Sequence, residues 1–499
     1  MKEFTTEQFS SRWGIILASL GMAIGAGNLW RFPRLAGQYG GAFIFLWILF
    51  LFIWSIPLLL AEFSIGKKFR KGVIGSYGEL TGKKYTFLGF FIAICTLGIA
   101  FYYSVVTAWA LRYLGLSVSH VFSSLSIADS ISKNPDYLNQ FWLDISNGSV
   151  VTILVFIAVI LVATYVLSRG IKNGLEKANR ILIPSLFVLL MVVCAIALNM
   201  ENGVLGLEYM FSIDTKLFAQ PNIWIEAVSQ SAWSTGAGWG LLITLSSYSK
   251  KNEDVTLNTF IGAFGNNTAS LLAGIAILPA VFAMSVSEGD AISYLQSGNQ
   301  ALVFTIIPKL FANVYGGDLL STLFFLALFL AAFSSLLPMI ELFVSNVVRM
   351  GISRKKSMIL VISVFITAGF PSVYSLDFFS NQDWVWGIGL ILSGLFIAFG
   401  VMKYGLIKFK TELIDVDSDF SVSLKYFTAC IVVNLLMGVV LIYWWLSRGY
   451  STYPWFDENG HWNLFDVYSN ASVLTQWGVV LFFGFLINRF LYKKIVSPV

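Results

Sequence analysis

The feature that most constrains this chain is a run of small and polar residues inside an apolar segment long enough to cross a membrane. The run AIGAGN occupies positions 23–28 of an apolar stretch from about 13 to 36, and LWRFP follows it directly. At membrane depth, backbone that leaves the helix is tolerated only where it is buried in protein or lines a cavity. The run therefore predicts an interrupted helix whose unpaired backbone groups face a binding site.

A second interruption of the same kind lies far downstream. The run STGAGWG at 234–240 divides another long apolar segment. Interrupted helices in corresponding positions of two halves are typical of secondary transporters, in which substrate and driving ion bind between the breaks. We therefore expect the site where the two breaks meet.

The composition excludes a soluble domain. Of the 499 residues, 57% are hydrophobic and only 12% are charged, and the mean hydropathy is +0.76. The net charge of +5 is spread through short loops, which indicates a membrane topology signal rather than a nucleic-acid surface. No nucleic-acid partner is expected, and the sequence does not specify an oligomeric state. The three cysteines indicate neither a disulfide framework nor a metal site.

About twelve segments satisfy the requirement of roughly 20 mostly apolar residues for a spanning helix. They run approximately over 13–36, 41–66, 86–116, 149–167, 176–199, 222–248, 256–285, 317–348, 357–374, 384–405, 421–446 and 473–495. The expected fold class is an all-α membrane protein with a single transporter domain, 1–499, in contact with the lipid bilayer. The first segment has no small-residue cleavage site, so we expect it to be retained.

The distribution of basic residues predicts the topology. Basic clusters follow every second segment and also end the chain. We therefore expect these clusters and both termini to lie on the cytoplasmic side of a plasma or inner membrane. The first ten segments divide into two halves of five, about 13–199 and 222–405, each opening with its interrupted helix. Because five is odd, we expect a 5+5 inverted repeat. The segments 421–446 and 473–495 are additional to it.

Neutral oxygen donors near the interruptions indicate a sodium site. Asn28 follows the first break, Ser234 begins the second, and Asn266 lies in an apolar segment where an amide is costly to bury. Hard cations bind oxygen ligands, including carbonyls and amides. Either asparagine alone would more often hydrogen-bond between helices. Together with the two breaks, the three donors favour sodium.

These and further motifs resemble the neurotransmitter:sodium symporter family, including its bacterial leucine transporter and related amino acid carriers. The resemblance is carried by Trp13-Gly14, the run from Gly25 to Pro33, GGAF at 40–43, IPL at 56–58 with Glu62 and Gly66, YY at 102–103 with Trp109, Gln230, GWG at 238–240 and SSY at 246–248. It spans nearly the whole chain. It implies a sodium-coupled symporter that works by alternating access.

The resemblance also implies two sodium sites. The first comprises the Ala23 carbonyl, Asn28, Ser234, Asn266 and the carboxylate of the substrate. The second comprises carbonyls of Gly21, Ile24 and Ala331 and hydroxyls of Ser334 and Ser335. Taken alone, a serine pair in a membrane helix more often bonds to its own backbone. The resemblance is what raises Ser334 and Ser335 to candidate ligands.

The resemblance implies an α-amino acid as substrate. Gly25 stands where monoamine carriers of the family have an aspartate, so there is room for a carboxylate. That carboxylate is expected to contact Gly25, Gly27 and the Tyr103 hydroxyl, and the ammonium to meet carbonyls near Ala23 and the second break at Ser234.

The expected pocket for the substrate side chain is apolar. It comprises Ala26, Ile99, Trp233, Gly236, Trp239, Ser335 and Met339. Apolar walls favour a neutral, hydrophobic amino acid. The size of the side chain stays open, because Gly236 makes space while Trp233 and Trp239 fill it.

Chloride is a further ion that the resemblance suggests. Chloride-independent members place a carboxylate near the first sodium, whereas Gln230, Ser234, Asn266 and Ser270 are all neutral. This favours a chloride ion there. Trp47 replaces the usual tyrosine, and its indole N–H can donate a hydrogen bond but cannot reproduce the geometry of a hydroxyl.

The outer gate follows the family pattern. Arg31 resembles the extracellular gate arginine, and Asp383 is its expected partner, directly or through water. Gly174 and Pro184 keep a spacing that the family associates with unwinding of the fifth helix during inward sodium release, although a proline near a helix start is also ordinary.

The cytoplasmic gate departs from the family. The usual N-terminal arginine is absent, and Arg349 occupies the position of its acidic partner, while Tyr248 is retained. A charge-reversed pair of Glu7 or Glu3 with Arg349 is our hypothesis for closure on this side.

Other classes of function remain open or are disfavoured. An enzyme is not expected, because His120 and His461 lie in loops and no nucleophile–base pair or phosphate loop is visible. A sodium-dependent amino acid sensor that does not transport would share the same binding residues. A proton-coupled carrier is less favoured, because the candidate ion ligands do not titrate.

Overall fold

The computed structural model describes residues 7–448 and 451–497. This part of the chain is almost entirely helical and contains no β-strand, only an isolated bridge between Phe456 and Trp462. Ten of its helices are long and apolar enough to cross a membrane. The expected class of an all-α membrane protein is therefore confirmed.

Fourteen of the α-helices are numbered in chain order. They are α1 Arg12–Ala23, α2 Ala26–Phe50, α3 Ile56–Phe69, α4 Thr86–Val121, α5 Val150–Ser168, α6 Lys177–Leu198, α7 Pro221–Thr235, α8 Leu241–Ser246, α9 Val255–Met284, α10 Gly317–Arg349, α11 Arg354–Tyr374, α12 Leu376–Tyr404, α13 Leu424–Arg448 and α14 Asn470–Leu491. Shorter α-helices span Gly72–Thr81, Ile127–Lys133, Tyr137–Ser146, Gly203–Phe211, Glu288–Leu295, Asn299–Ala301, Ile307–Ala312 and Leu406–Phe409. π-helical turns occupy Leu51–Ser55, Ile171–Glu176, Leu302–Ile306, Lys410–Ile414 and Tyr492–Val496, and 3₁₀ turns occupy Lys83–Tyr85 and Thr215–Ala219.

The first predicted break lies between α1 and α2. Ile24 and Gly25 have extended backbones, with ψ of 93° and −174°. The Gly25 N–H donates to Asn28 Oδ1 at 3.0 Å, and the Ala26 N–H donates to Tyr103 Oη at 2.8 Å. Side chains thus replace the missing helical partners, and the last carbonyls of α1 remain available to a ligand.

The second predicted break lies between α7 and α8. Gly236, Gly238 and Gly240 have φ angles of 74°, 96° and 71°, which favour glycine strongly. The Gly238 N–H donates to Glu62 Oε1 at 2.7 Å, and its carbonyl accepts from Ser393 Oγ at 2.5 Å. A buried carboxylate from α3 therefore holds the break in place.

One expected boundary is different. The expected boundary at positions 37–40 is present, but as a single non-helical residue instead of a loop: Gly40 has φ of 57° and ψ of −147°, and helix continues on both sides of it. A Cβ at Gly40 would lie 2.8 Å from the carbonyl oxygen of Ser212. The backbone at Ser212 therefore leaves no room for a side chain at Gly40, and glycine allows the sharp turn. Hydropathy alone does not reveal such a turn.

The two last helices are attached to the rest by polar contacts. In α14, the Trp477 indole donates to the Val385 carbonyl of α12 at 3.1 Å, and Asn488 Oδ1 accepts from the Phe87 N–H of α4 at 2.9 Å. In α13, Asn434 Nδ2 donates to the Trp54 carbonyl at 3.2 Å. These bonds fix helices whose outer faces are otherwise apolar and exposed.

Candidate functional site

A cavity of about 240 Å³ lies where the two breaks meet. It is bounded by both breaks and by α4, α10 and α12. Gln300 and Tyr468, which belong to the connections before α10 and before α14, also line it. The cavity therefore extends to this end of the helices.

Most of the expected substrate residues line this cavity. Those that do are Ala23, Gly25, Gly27, Tyr103, Trp233, Ser234, Trp239, Ser335 and Met339. Ala26, Ile99 and Gly236 do not line it. Gly236 is covered by Met22, because a Cβ built on Gly236 would lie 3.2 Å from Met22 Cε. Met22 itself lines the cavity and was missed by the sequence reasoning, since it precedes the break on a helix whose rotation the sequence does not specify.

One end of the cavity is suited to a carboxylate. Gly25 lines the cavity, and a Cβ on it would lie 2.6 Å from Tyr103 Oη and 3.0 Å from Ser335 Oγ, so only glycine allows these two hydroxyls to approach the break so closely. Tyr103 Oη already accepts from the Ala26 N–H at 2.8 Å. Its own proton can be donated to an anionic oxygen placed beside Gly25.

The other end is aromatic. The rings of Trp233 and Trp239 meet edge to face, with centroids 5.1 Å apart. Thr96 Oγ1 donates to the Trp239 carbonyl at 2.5 Å and fixes the chain next to the break. With Met22 and Met339, these rings form apolar walls against which a hydrophobic side chain can be buried.

Oxygens converge beside the first break as around a cation. Asn266 Oδ1 lies 2.8 Å from the carbonyl oxygen of Ser234 and 3.1 Å from that of Ala23. Rotating the amide would bring its nitrogen within 2.8 Å of Asn28 Nδ2, so a conflict would remain. Asn28 Nδ2 instead donates to Asn266 Oδ1 at 2.8 Å, while Asn28 Oδ1 is turned to Gly25. A sodium ion among the three oxygens fits this geometry.

A second group of oxygens joins α1 to α10. Ser335 Oγ lies 2.9 Å from the Gly21 carbonyl, 3.3 Å from that of Met22 and 3.2 Å from that of Ile24. One hydroxyl has one proton and cannot satisfy three carbonyls. Ser334 Oγ, on the same helix, bonds to the Ala331 carbonyl at 3.0 Å. The five residues expected at a second sodium site therefore lie on α1, on the break that follows it and on α10, where a cation can bind.

The expected chloride residues are buried and partly without partners. Within the described part of the chain, both polar atoms of the Gln230 amide and the Trp47 indole nitrogen make no hydrogen bond, and their side chains are buried. Ser270 Oγ accepts from Asn28 Nδ2 at 2.8 Å and so connects this region to the first cation group. Buried N–H donors without partners are costly, and an anion would satisfy them.

The outer gate residues line the cavity together, but Arg31 is paired directly with another carboxylate. Arg31 lies 3.0 Å from Glu226 and also donates to Ser229 at 2.9 Å, both in α7. Asp383 lines the same cavity, but no ion pair joins it to Arg31 among the residues that the structure describes. The carboxylate that holds Arg31 here was missed, although an acidic residue in an apolar segment is itself a signal.

A buried ion pair lies further along α10, just beyond Met339. Glu341 is fully buried and accepts two hydrogen bonds from the Arg354 guanidinium, at 2.8 and 2.9 Å. Tyr248 Oη donates to the same carboxylate at 2.7 Å, and the Tyr248 carbonyl accepts from the Phe9 N–H at 3.0 Å. Tyr248 and Arg354 thus meet at the Glu341 carboxylate, and the N-terminal segment is attached to them through the Tyr248 backbone.

The hypothesis of a Glu7–Arg349 pair is wrong. Glu7 instead accepts from the Ile171 N–H at 2.5 Å, at the start of a π-helical turn. Arg349 donates to the Arg70 carbonyl, whose residue ends α3 with φ of 55°. An N–H in the first turn of a helix lacks an intrahelical partner, so it competes successfully for the Glu7 carboxylate. Glu3 lies outside the described residues.

Comparison with known proteins shows the family of this chain. The model of the sodium:neurotransmitter symporter family matches residues 6–127 and 120–487. An uncharacterized sodium-dependent transporter of Methanocaldococcus jannaschii is 34% identical over 370 residues, which cover 73% of this chain and 75% of that protein. A sodium-dependent neutral amino acid transporter, B(0)AT2 of Bos taurus, is 28% identical over 296 residues, which cover 54% of this chain and 40% of the relative.

A solved structure shares the fold. The crystal structure of MhsT in complex with L-phenylalanine superposes with a TM-score of 0.76 at 27% identity, covering 88% of this chain and 99% of MhsT. Fold, site and sequence point the same way. The chain belongs to the sodium:neurotransmitter symporter family, a family of sodium-coupled membrane transporters rather than enzymes.

Proposed function

We propose that the protein is a symporter that uses a sodium gradient to import a neutral, hydrophobic amino acid by alternating access. The observation that carries the proposal is the convergence of the Asn266, Ser234 and Ala23 oxygens next to the space beside Gly25. A carboxylate in that space adds a charged oxygen to the cation site. Ion and substrate then stabilise each other, which couples their binding.

Support for the substrate class comes from both ends of the cavity. The glycine beside Tyr103 suits a carboxylate, and the Trp233–Trp239 pair suits an apolar side chain. L-Phenylalanine in MhsT and neutral amino acids in the relative B(0)AT2 are consistent with this class.

We propose two sodium ions, the second held between α1 and α10. Because these helices belong to different halves of the molecule, an ion bound to both stabilises one relative arrangement over others. A chloride ion near Trp47, Gln230, Ser234, Asn266 and Ser270 would compensate charge at the first site. The unpartnered indole and amide support this part of the proposal.

In this proposal the arrangement described above faces outward. The cavity extends past Arg31 to Gln300 and Tyr468, and we take the Glu341, Arg354 and Tyr248 cluster as the closed inner end. Closure of the outer end would bring Arg31 to Asp383. Opening of the inner end would separate Tyr248 from Glu341.

We place the protein in a cell membrane with both termini in the cytoplasm. The single domain 1–499 would comprise twelve spans, ten of them in a 5+5 inverted repeat, with α13 and α14 outside it. Charge supports the orientation, because the Glu341 cluster and the basic loops lie at the same end.

Equilibrium binding of labelled phenylalanine to the purified protein, titrated with NaCl or KCl, tests the coupling. We expect sodium to promote binding, and phenethylamine, which lacks the carboxylate, to compete at least about a hundredfold more weakly, since a charged ligand oxygen is lost from a buried site. Equal competition by the amine would contradict the proposed role of the carboxylate.

A matched pair of serine variants adds a control. Ser335→Ala should weaken the sodium dependence of binding. Ser345→Ala removes a buried hydroxyl from the same helix that bonds only to the Leu342 carbonyl, at 3.0 Å, and should leave it unchanged. Equal effects of the two substitutions would contradict a sodium site at Ser335.

A further inference from the structure

Exposed cations lie at the ends of three apolar helices. Lys83 and Lys84 directly precede α4, Lys403 lies one residue before the end of α12, and Arg489 lies in the last turn of α14. All four side chains are exposed. Each of the three helices belongs to a segment long and apolar enough to cross a membrane. The cations therefore lie where these helices leave the hydrocarbon of a bilayer and meet the lipid headgroups.

Contacts between residues far apart in the chain bring these helix ends together. Lys84 Nζ and Lys403 Nζ lie 5.4 and 5.0 Å from the centroid of the same ring, that of Tyr85. In α14, Asn488 Nδ2 donates to the Lys83 carbonyl at 2.8 Å. These contacts define a basic cluster of four cations: Lys83, Lys84, Lys403 and Arg489.

The basic cluster has no acidic counterpart. Among residues 7–448 and 451–497, no ion pair involves any of its members. Carboxylates on the adjacent turns have other partners, since Glu412 accepts from Tyr404 at 3.0 Å and Glu79 accepts from Lys71. Like charges held close together repel each other, so an anion bound at the cluster would lower the electrostatic energy.

The surroundings of the cluster favour a lipid as the source of this anion. In α14, Phe482, Phe485, Leu486 and Phe490 are all more than half exposed, and Arg489 lies next to the last of them in the chain. A molecule bound here would meet cations and apolar side chains together. A soluble anion or an acidic peptide would use only the cations, whereas an anionic phospholipid would use both.

We propose that the basic cluster binds an anionic phospholipid, with the phosphate between Lys84 and Lys403 and the acyl chains along α14. Ammonium groups donate charge-assisted hydrogen bonds to phosphate oxygens. Basic pockets between membrane helices on the cytoplasmic side are suited to such headgroups. This inference does not depend on the proposed sodium coupling, so either can fail without the other.

Titration of the purified full-length protein with dioleoylphosphatidylglycerol, read out by native mass spectrometry, tests the proposal. The fraction of protein that retains a lipid gives the affinity. We expect phosphatidylglycerol to be retained at concentrations at which dioleoylphosphatidylcholine, whose headgroup is neutral overall, is not. The double variant Lys84→Gln, Lys403→Gln should bind phosphatidylglycerol at least about tenfold more weakly, because each cation lost at a membrane surface lowers the attraction several fold.

The double variant Lys172→Gln, Lys177→Gln is the matched control. Both of these lysines are exposed and lie just before or at the start of α6. Within the part of the chain that the structure describes, neither is in an ion pair or over an aromatic ring. The control removes the same charge and should leave the affinity for phosphatidylglycerol unchanged.

Each other outcome would overturn the proposal. Equal weakening in both double variants would show that binding follows net charge alone, and equal retention of phosphatidylcholine would show that no anion is required. Displacement of the lipid by millimolar sodium phosphate would indicate a site for a soluble anion. An altered number of subunits in Lys84→Gln, Lys403→Gln, with lipid affinity unchanged, would indicate an interface between copies of the chain.

Discussion

The hydroxyl of Tyr248 donates a 2.7 Å hydrogen bond to Glu341, and this contact ties the segment after α8 to the C-terminal third of α10. The same carboxylate holds Arg354 at the start of α11. A buried carboxylate requires such partners, because an unpaired charge would be strongly destabilising. In the proposed cycle, this cluster takes the place of the arginine–aspartate gate expected from the family.

The first prediction concerns this inner gate. Tyr248→Phe removes one hydrogen bond to a charged acceptor, worth about 1.5–3 kcal/mol, which corresponds to at least about a tenfold shift toward an inward-open state. Spin-label distances between the cytoplasmic ends of α1 and α10 should lengthen. Tyr404→Phe is the control, because Tyr404 donates to the carboxylate of Glu412 in an exposed pair at 3.0 Å. Identical distance distributions in both variants would refute the gate.

The second prediction separates the two carboxylates near Arg31. The Arg31–Glu226 pair is partly exposed, with side chains 17% and 27% accessible, so its loss in Glu226→Gln should cost about 1 kcal/mol or less. Uptake should fall no more than a few fold. Asp383→Asn should lower uptake far more while preserving binding, since closure would lose its partner. The reverse ranking, measured by uptake and equilibrium binding together, would make Glu226 the gate.

The third prediction tests the space for the carboxylate. Gly25→Ala places a methyl group against Tyr103 and Ser335, and such overpacking costs about 1–3 kcal/mol, enough to weaken amino acid binding about tenfold or more. Gly115→Ala is the control within α4, where a Cβ meets nothing within 4 Å in the described part of the chain. Binding of labelled phenylalanine measures both. Wild-type affinity in Gly25→Ala would show that the carboxylate binds elsewhere.

The fourth prediction concerns chloride. Replacement of chloride by gluconate should lower sodium-dependent binding, because the N–H donors of Trp47 and Gln230 lose their anion. Ser270→Glu supplies a fixed negative charge and should abolish the chloride requirement, whereas the neutral Ser270→Gln should not. Chloride-independent binding in the unaltered protein would exclude a chloride site here.

The helix breaks could be predicted because glycine and asparagine are unfavourable inside a membrane-length apolar helix unless the helix is interrupted there. The same argument predicts that Asn28, Ser234 and Asn266 lie close together, since polar groups at that depth must meet one another. The rotation of a helix near a break is not encoded in this way. It placed Met22 on the cavity wall, whereas Ala26 at the start of α2 does not line the cavity.

The sequence also did not reveal which residues tertiary packing brings together as partners. Arg354 begins a helix and was interpreted as part of a topology signal, yet it reaches back to Glu341 across the turn between α10 and α11. The expected pairing of Glu7 with Arg349 was based on their charges alone. The unpaired backbone N–H groups at the start of a helix also attract a carboxylate, and Glu7 binds there instead.

The most direct test of sodium-coupled transport is uptake of labelled phenylalanine into proteoliposomes under an inward sodium gradient, with potassium as the control. We predict accumulation above the external concentration that collapses when the sodium gradient is dissipated. Sodium-dependent binding without accumulation would contradict transport and indicate a sensor on the same fold. Accumulation driven equally by potassium would contradict sodium coupling.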